Sequence, residues 1–345
     1  MDISQFDYDL PDELIAQSPL TERDASRMLV VRRREKDWSD SQFLSLPNYL
    51  DSGDVVVVNN TRVFPARLVG TRESSGGHVE ILLVREVETL TWEALVRPSG
   101  RLRQGTIVRF GESKALAEMV DAPGSELRLV RFKSTADFER LLETAGQVPL
   151  PPYIKRPNGT TKMDEERYQT VYARERGAIA APTAGLHFTS GTVAALARKG
   201  IEVVEITLHV GYGTFEPVRS GSVSGHKVRA EAFEISREAA EVINVRRAAG
   251  GRVVAVGTTT TRALESAVAY EGSLQATRSI ASLTITPGHE FRVTDVLLTN
   301  FHLPKSSLLL LVAAFAGREL ILEAYGHAVQ ERYRFYSYGD CMLIT

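Results

Sequence analysis

The stretch RVVAVGTTTTRALES, residues 252–266, carries the pattern that decides the fold. Its valine-rich start, residues 252–256, has the length and composition of a strand that is buried on both faces. The strand ends at Gly257, and four threonines lead from this glycine into a helix that we predict over residues 262–270. A strand followed directly by a helix is the repeating unit of α/β proteins with a largely parallel sheet.

The same alternation of strand and helix occurs on both sides of this stretch. The predicted strands are 28–31, 54–59, 178–181, 201–208, 230–235, 280–284 and 291–294, and the predicted helices are 165–173, 191–199, 237–249, 306–316 and 318–333. Apolar runs of four to eight residues favour strands, and longer segments with a cap and a stop signal favour helices. The sequence therefore predicts an α/β main domain with a mostly parallel sheet.

Between residues 64 and 150 the pattern changes to short strands separated by Gly, Ser and Pro turns. Evenly spaced short strands are typical of a small β-barrel or a sandwich. One helix over residues 135–144 closes this block, and the proline-rich VPLPPYIKRP (residues 148–157) cannot be helical. We therefore predict a discontinuous α/β domain of residues 1–63 and 151–345, interrupted by a β-barrel domain of residues 64–150. A prior of roughly 150 residues per domain agrees with two domains in 345 residues.

Composition excludes several classes of protein. The 41 Lys and Arg residues nearly balance the 43 Asp and Glu residues, which excludes nucleic-acid binding by bulk charge but not by a local basic face. The single cysteine, Cys341, excludes an intrachain disulfide framework. The amino terminus does not resemble a signal peptide, and the longest apolar run, residues 308–316, is about half of a membrane span. We expect a cytoplasmic protein.

Familiar catalytic motifs are missing or incomplete in the sequence. Lys305-Ser306 ends like a P-loop but lacks the glycines, and the segment from Gly211 to Gly213 begins like a dinucleotide loop but continues to Glu216 instead of a third glycine. No Gly-x-Ser-x-Gly segment and no His-Glu-x-x-His spacing occur. We therefore expect neither an NTPase, nor a nicotinamide enzyme, nor a metal site.

Four segments that mix glycine with polar residues follow predicted strands, where α/β proteins place their sites. They are PTAGLHF (182–188), TLHVGYGTFEPV (207–218), VGTTTTRALES (256–266) and TNFHLPKSS (299–307). Three of them contain a histidine, and we predict that His187, His209 and His302 converge on a pocket, although buried histidines also occur as structural residues. The glycine-threonine turn at the start of a helix suits an anion, with Arg262 adding charge. The alternative for this turn is an ordinary threonine-rich helix cap.

Basic and aromatic residues alternate at YIKR (153–156) and RYRFYSY (332–338), and arginines crowd a turn of the inserted block. Rings beside cations are what single-stranded or looped RNA requires. The predicted RNA contacts are Arg97, Arg101, Tyr153, Lys155, Arg156, Arg334 and Tyr336. The alternative is a solvated surface with buried rings.

Taken in order along the chain, these segments resemble the S-adenosylmethionine:tRNA ribosyltransferase-isomerases of queuosine biosynthesis. The resemblance rests on DYDLPDELIAQSPLTERDASRMLVV (7–31), VNNTRVFPARL (58–68), VPLPPYIKRP, ERYQTVYA (166–173), the four segments above and ERYRFYSYGDCMLI (331–344). It covers essentially the whole chain. It implies an α/β domain interrupted by a β-barrel, and a monomer.

The resemblance also implies the reaction. S-adenosylmethionine donates its ribosyl part to 7-aminomethyl-7-deazaguanine in the tRNA anticodon, adenine and methionine are released, and the ribose rearranges to give epoxyqueuosine. S-adenosylmethionine is then a consumed substrate, and no tightly bound cofactor, membrane or obligate protein partner is implied.

Site residues follow from the resemblance and from the chemistry of the reaction. The sulfonium acidifies the ribose 5′ carbon, so a general base is needed, and a second group protonates the departing adenine. The implied catalytic residues are His302, His187, His209 and Lys305. The implied S-adenosylmethionine-binding residues are Thr183, Gly185, Phe188, Gly211, Gly213, Thr258, Thr259, Arg262, Asn300, Asp24, Arg27, Asn60 and Arg62.

The sequence departs from the family pattern at three places. Asn60 stands where an aspartate is usual, Gln147 replaces a frequent histidine, and Arg229 and Ala230 replace a histidine and a serine. We therefore assign no catalytic role to residues 226–231.

Two other functions fit the same features. A nucleoside or S-adenosylmethionine hydrolase would release adenine at a rate that tRNA does not change. An RNA-binding module without catalysis would bind tRNA and not respond to S-adenosylmethionine.

Overall fold

The fold is described from a computed structural model. The structure describes residues 1–98, 102–121, 124, 126–157, 159–215, 218, 221–269 and 272–345, with the backbone alone at 214 and 215. No helix within these ranges is both long enough and apolar enough to cross a membrane.

Strands and α-helices alternate along most of the described chain. The strands are β1 (Arg27–Arg32), β2 (Asp37–Gln42), β3 (Val55–Asn59), β4 (Thr61–Val63), β5 (Arg67–Arg72), β6 (His78–Glu88), β7 (Thr91–Arg97), β8 (Ile107–Arg109), β9 (Leu116–Met119), β10 (Arg128–Phe132), β11 (Glu175–Ala178), β12 (Glu202–Leu208), β13 (Glu231–Ile235), β14 (Val253–Val256), β15 (Thr277–Ala281), β16 (Val296–Asn300) and β17 (Cys341–Ile344). The α-helices are α1 (Thr135–Ala145), α2 (Lys162–Arg167), α3 (Ser190–Arg198), α4 (Arg237–Ala248), α5 (Thr258–Ala267), α6 (Ser307–Ala316) and α7 (Arg318–Gln330).

Nine strands form one mixed sheet in the order β15-β13-β12-β3-β14-β16-β17-β1-β2. The central strands β12, β3, β14 and β16 are parallel, and antiparallel pairings occur toward both edges. Val55 and Val57 of β3 pack on one face with α4 and α5, and Val56 and Val58 pack on the other face with α3. All four valines are fully buried, as the apolar run predicted. The predicted α/β fold class is confirmed.

Strands β5 to β10 close into a barrel in the order β10-β7-β6-β5-β8-β9. Phe138, Leu141 and Leu142 of α1 pack against the barrel core. Of the two forms predicted for the inserted block, the structure therefore shows the barrel and not the sandwich. The domain boundaries at residues 64 and 150 stay a prediction.

Several predicted elements differ in the structure. The strands predicted over 178–181 and 280–284 form three residues earlier, as β11 and β15. The helix predicted over 165–173 is α2, which begins after the Thr161 cap and ends when Tyr168 enters the core. No strand forms at 291–294, because the amides of Arg292, Val293 and Thr294 donate to the carboxylate of Glu265. Helix α5 begins at Thr258 and not at Arg262, so the four threonines form its first turn. Strands β2, β4, β16 and β17 were not predicted.

Candidate active site

A cleft of about 470 Å³, including the part open to solvent, lies at the carboxyl ends of the parallel strands β14 and β16. Ligands of open α/β sheets bind at this edge. The predicted site residues that line it are Thr183, Thr258, Thr259, Asn300, His302, Tyr153 and Tyr336. Gly257, Thr299, Leu308 and Ser337 also line it.

The start of α5 forms one wall of the cleft. Gly257 precedes the helix with φ +90°, a backbone conformation that favours glycine. The N–H groups of the first turn have no acceptor within the helix and carry the positive end of its dipole. The hydroxyls of Thr260 and Thr261 bond to the carbonyls of Val256 and Gly257. The hydroxyl of Thr259 is buried and has no partner among the described residues, so this wall can receive an anion.

His302 lines the cleft and is held from three sides. Its ring Nε2 lies 2.9 Å from Oγ1 of Thr299. Its backbone N–H donates to the hydroxyl of Tyr325, and its backbone carbonyl accepts from the hydroxyl of Tyr8. Burial lowers the pKa of His302 to about 3, so the imidazole is neutral at pH 7. A neutral imidazole has one donor and one acceptor, and because Nε2 uses one of them on Thr299, the other is left for a ligand.

His187 lies behind the cleft wall, next to Asn300. Nδ2 of Asn300 donates to Nε2 of His187 at 3.3 Å, so the ring proton is on Nδ1, which donates to Oγ of Ser26 at 2.7 Å. Burial, together with the charges of Arg23 and Arg334, lowers the pKa of His187 to about 3.

Asn300 connects this hidden histidine to the cleft. Its Nδ2 also donates to the carbonyl of Tyr336 at 3.0 Å, which fixes the orientation of the amide. Its Oδ1 is buried and has no partner among the residues that the structure describes. A cleft-lining residue with a free acceptor is able to bind a donor group of a ligand.

Tyr153 and Tyr336 form an aromatic wall. Their ring centroids are 3.9 Å apart with an interplanar angle of 86°, and the hydroxyl of Tyr153 bonds to Oγ of Ser337. We predicted both rings as tRNA contacts, but the structure places them in the cleft, with Tyr336 buried.

A second compartment adjoins the first, and Thr258, Thr259 and Leu308 line both. Besides the two threonines, it contains two further predicted site residues, Gly213 and Arg262. Glu231 also lines this compartment, and it forms a buried ion pair with the guanidinium of Arg262.

The guanidinium of Arg262 makes four bonds to protein groups. Besides the Glu231 carboxylate, it donates to the carbonyls of Leu283, Arg229 and Ala281. The other oxygen of Glu231 accepts the N–H of Gly211 at 2.8 Å. Arg262 therefore anchors the loop beside the cleft, and a direct contact with a ligand anion stays a prediction.

The other predicted site residues do not line the cleft. They are His209, Lys305, Gly185, Phe188, Gly211, Asp24, Arg27, Asn60, Arg62, Arg97, Lys155, Arg156 and Arg334; Arg101 lies outside the described residues.

Two of these are predicted catalytic residues. Nδ1 of His209 lies 2.8 Å from the hydroxyl of Thr61, on the short sheet of β4 and β11. Lys305 forms an ion pair with Asp7 at 2.7 Å, half exposed at the surface. Neither lines the cleft, and a catalytic role for either stays a prediction.

Several predicted binding residues make structural contacts instead. Phe188 packs edge-on against Phe43, and a Cβ at Gly185 would collide with Tyr172. Asp24 accepts from Thr189.

Four polar residues are held by neighbours on other elements. Asn60 bonds to Glu205 and Thr207, Arg27 lies over the ring of Tyr333, and Arg156 makes two 2.8 Å bonds to the buried Asp164. Arg62 lines a separate cleft beside the barrel, Arg97 and Lys155 are exposed, and Arg334 donates to the carbonyl of Ser18.

Sequence reasoning missed Ser26, Glu231, Leu308 and Ser337. Ser26 and Ser337 are small polar residues that belong to no catalytic motif, so only their neighbours in space reveal their roles. Glu231 lies in the segment to which we assigned no role, and its pairing with Arg262 bridges 31 residues. Among the described residues, no three His, Cys, Asp or Glu side chains group as a metal site would require.

Comparisons with known proteins show the family to which the chain belongs. The family model of the queuosine biosynthesis proteins matches residues 3–344. A relative from Pelotomaculum thermopropionicum, named S-adenosylmethionine:tRNA ribosyltransferase-isomerase, is 50% identical over 344 residues and covers 100% of both chains. A crystal structure of S-adenosylmethionine tRNA ribosyltransferase from Thermotoga maritima matches 99% of this chain and 100% of its own, with 34% identity and a TM-score of 0.56. The chain belongs to the queuosine biosynthesis protein family.

Proposed function

We propose that this chain is an S-adenosylmethionine:tRNA ribosyltransferase-isomerase. It transfers the ribosyl part of S-adenosylmethionine to 7-aminomethyl-7-deazaguanine in the tRNA anticodon and isomerises it, giving epoxyqueuosine, adenine and methionine. The full-length family match and the 50% identical relative support this reaction. S-adenosylmethionine and tRNA are its substrates. We also propose that it works as a cytoplasmic monomer with no tightly bound cofactor, no membrane and no obligate protein partner.

The observation that carries the proposal is the pair of unpartnered polar atoms in one cleft, Oγ1 of Thr259 and Oδ1 of Asn300. Buried polar atoms usually have partners, so two orphans at one site indicate a ligand. S-adenosylmethionine presents a carboxylate that suits the α5 N-terminus beside Thr259, and hydroxyl or amino donors that suit Asn300. The rings of Tyr153 and Tyr336 suit the adenine or the sulfonium charge.

His302 is the residue that we propose as the general base. It is a histidine in direct contact with the cleft, and because burial lowers its pKa to about 3 the ring is unprotonated at physiological pH and can accept a proton. The proton on the ribose 5′ carbon moves to this imidazole, and the bonds to Thr299, Tyr325 and Tyr8 hold it in place. His187 is a positioning residue, because it acts through Asn300.

We assign no catalytic role to His209 or Lys305. The bonds of His209 to Thr61 and of Lys305 to Asp7 account for both side chains away from the cleft. Substituting His209 or Lys305 tests directly whether the reaction needs either side chain.

The test is incubation of the protein with S-adenosylmethionine and tRNA that carries 7-aminomethyl-7-deazaguanine, followed by mass analysis of the tRNA nucleosides. We expect epoxyqueuosine in the tRNA and one adenine released for each nucleoside formed. The same tRNA with guanine at that position is the control and should stay unmodified. An unchanged nucleoside would refute the proposal. Adenine release at a rate that tRNA does not alter would indicate a hydrolase, and tRNA binding without any turnover would indicate an RNA-binding module.

A further inference from the structure

Next to the cleft, and apart from the second compartment, lies a cationic cavity, which we call the arginine cavity. Its volume is about 300 Å³, including the part open to solvent, and its lining includes Arg23, Arg167, Ser26, His187 and Ser337. Ser337 lines the cleft as well, so the two spaces share a wall. Arg334 lies next to the arginine cavity, because it donates to the carbonyl of Ser18, which directly precedes the lining residues Pro19 and Leu20.

Two of the three guanidinium groups bind the loop of residues 18–21 through its carbonyls. Arg334 donates to Ser18, and Arg167 donates to Leu20 and Thr21. Arg23 donates to the carbonyls of Leu186 and Glu166, each at 3.2 Å. These neutral acceptors orient the arginines but do not cancel their charge.

No carboxylate pairs with these three arginines in the part of the chain that the structure describes. Asp340 acts on the charge of Arg334 without an ion pair to it, and its two oxygens accept the backbone N–H groups of Arg27 and Arg334. The pKa of Arg23 is lowered by burial and by repulsion from Arg167, and burial also lowers the pKa of Arg334.

Two donors in this cluster have nothing to bind. Nε of Arg167 and Nη1 of Arg334 are buried and have no partner among the described residues. An uncompensated, partly buried guanidinium costs stability, and protein sites retain such groups where an anion binds.

We propose that the arginine cavity binds a backbone phosphate of the substrate tRNA beside the nucleotide that enters the cleft. This inference rests on the proposed function. A phosphate offers oxygens for several guanidinium N–H groups at once. Because the cavity shares the Ser337 wall with the cleft, a strand bound there brings its base within reach of the cleft. It also explains how a chain with a net charge of −2 binds RNA, since the positive charge is concentrated at one point.

The test measures the dissociation constant of tRNA against salt concentration for Arg167→Gln and Arg334→Gln. Each variant should weaken tRNA binding about tenfold and lower the slope of log K against log salt by about 0.7, the value for one single-strand phosphate. The dissociation constant of S-adenosylmethionine should stay within about twofold of wild type. Arg198→Gln is the matched control, because Arg198 is exposed at the carboxyl end of α3. This end of the helix leads to the amino end of β12, whereas the cleft lies at the carboxyl ends of the parallel strands.

A charge-retaining variant separates phosphate binding from loop support. Arg167→Lys loses the geometry of the carbonyl bonds but keeps the charge, so its salt slope should equal that of wild type. If Lys and Gln variants behave alike, the arginine only holds the loop and the proposal is overturned.

Two other results would overturn it as well. One is a weakened S-adenosylmethionine affinity with an unchanged tRNA slope, which would assign the cavity to the methionine carboxylate. The other is that inorganic phosphate stabilises wild type but not Arg167→Gln, while the tRNA slope is unchanged. That result would assign the arginine cavity to a free anion. Binding slopes do not depend on turnover, so this inference and the proposed reaction can fail separately.

Discussion

Asn300 lines the cleft and donates from Nδ2 to Nε2 of His187, 3.3 Å away and outside the cleft. This bond fixes the tautomer of the histidine, and the histidine in turn helps to fix which atom of the amide faces the ligand. The acceptor that Asn300 leaves free is therefore oriented before any ligand arrives. Preorganised acceptors and donors contribute most to catalysis, because they need not reorganise during the reaction.

Replacing Asn300 should affect catalysis far more than an equally buried asparagine elsewhere. For Asn300→Ala we expect a loss of about 100-fold or more in kcat/KM, since both the ligand contact and the orientation of His187 are lost. Asn59→Ala is the matched control: Asn59 is equally buried at the end of β3, binds Thr61 and Leu208, and does not line the cleft. Steady-state kinetics on protein shown to be folded make the comparison. Equal losses in the two variants would contradict the role of Asn300.

The hydroxyl of Thr259 should matter for binding and not for stability. Thr259→Val keeps the shape of the side chain and removes an oxygen without a partner among the described residues, so the melting temperature should not fall. We expect the dissociation constant of S-adenosylmethionine to rise about tenfold, as for the loss of one hydrogen bond to a charged group.

Thr260→Val is the control for that substitution. Its hydroxyl bonds to the carbonyl of Val256 within the fold and does not line the cleft. Calorimetric titration should give the wild-type affinity. A loss of affinity in Thr260→Val as large as that in Thr259→Val would place the carboxylate elsewhere.

His302 should carry the proton transfer without producing a pH limb near neutrality. His302→Ala is expected to lower kcat by about 10² to 10⁴, the usual contribution of a general base. Because burial lowers the pKa of His302 to about 3, the imidazole is already neutral at pH 5.5 and above. The profile of kcat/KM should therefore contain no ionisation of His302 between pH 5.5 and 8. An acid limb near pH 6.5 that disappears in the His302 variant would contradict this.

The buried histidines should make the protein lose stability in mild acid. His187 and His302 have pKa values of about 3 in the fold against an ordinary value of 6.5, so below pH 6.5 the unfolded chain binds protons that the folded chain does not. Proton uptake then favours unfolding, and each histidine lowers the free energy of unfolding by about 1 kcal/mol per pH unit from pH 6 downward.

Urea denaturation at several pH values measures this slope. His302→Gln keeps a partner for Thr299 and should remove one histidine's share of the slope between pH 6 and pH 5. His78→Gln, at an exposed position on β6, is the control. A slope that His302→Gln leaves unchanged would mean that His302 takes up its proton without unfolding.

The sequence predicted the fold well because its signals are local. The run of valines in β3 and the strand-glycine-threonine pattern before α5 each fit one structure, and the short strands of the insertion fit a barrel. The prediction was wrong at residues 291–294, where an apolar pattern suggested a strand. There the backbone amides bind Glu265, 27 to 29 residues away in sequence, and nothing within the segment indicates that partner.

The site was predicted less completely for the same reason. Thr259, Asn300 and His302 could be found because strand ends are where α/β proteins place ligands. Lys305 and His209 lie in the same kind of segment, but their neighbours Asp7 and Thr61 hold them outside the cleft. Which way a loop side chain points depends on contacts that are distant in sequence.

The ion pair of Glu231 and Arg262 gives the last prediction. Both side chains are less than 10% exposed, and the carboxylate also holds the N–H of Gly211 at 2.8 Å. Glu231→Gln leaves a buried guanidinium without its countercharge, so we expect the free energy of unfolding to fall by about 3 kcal/mol. The Gly211 loop should loosen beside the second compartment and raise the KM for S-adenosylmethionine. Glu202→Gln is the control, because the pair of Glu202 with Arg246 is more than a third exposed and should contribute less than about 1 kcal/mol. Urea denaturation of both variants decides the point: equal small losses would mean that the buried pair does not anchor this loop.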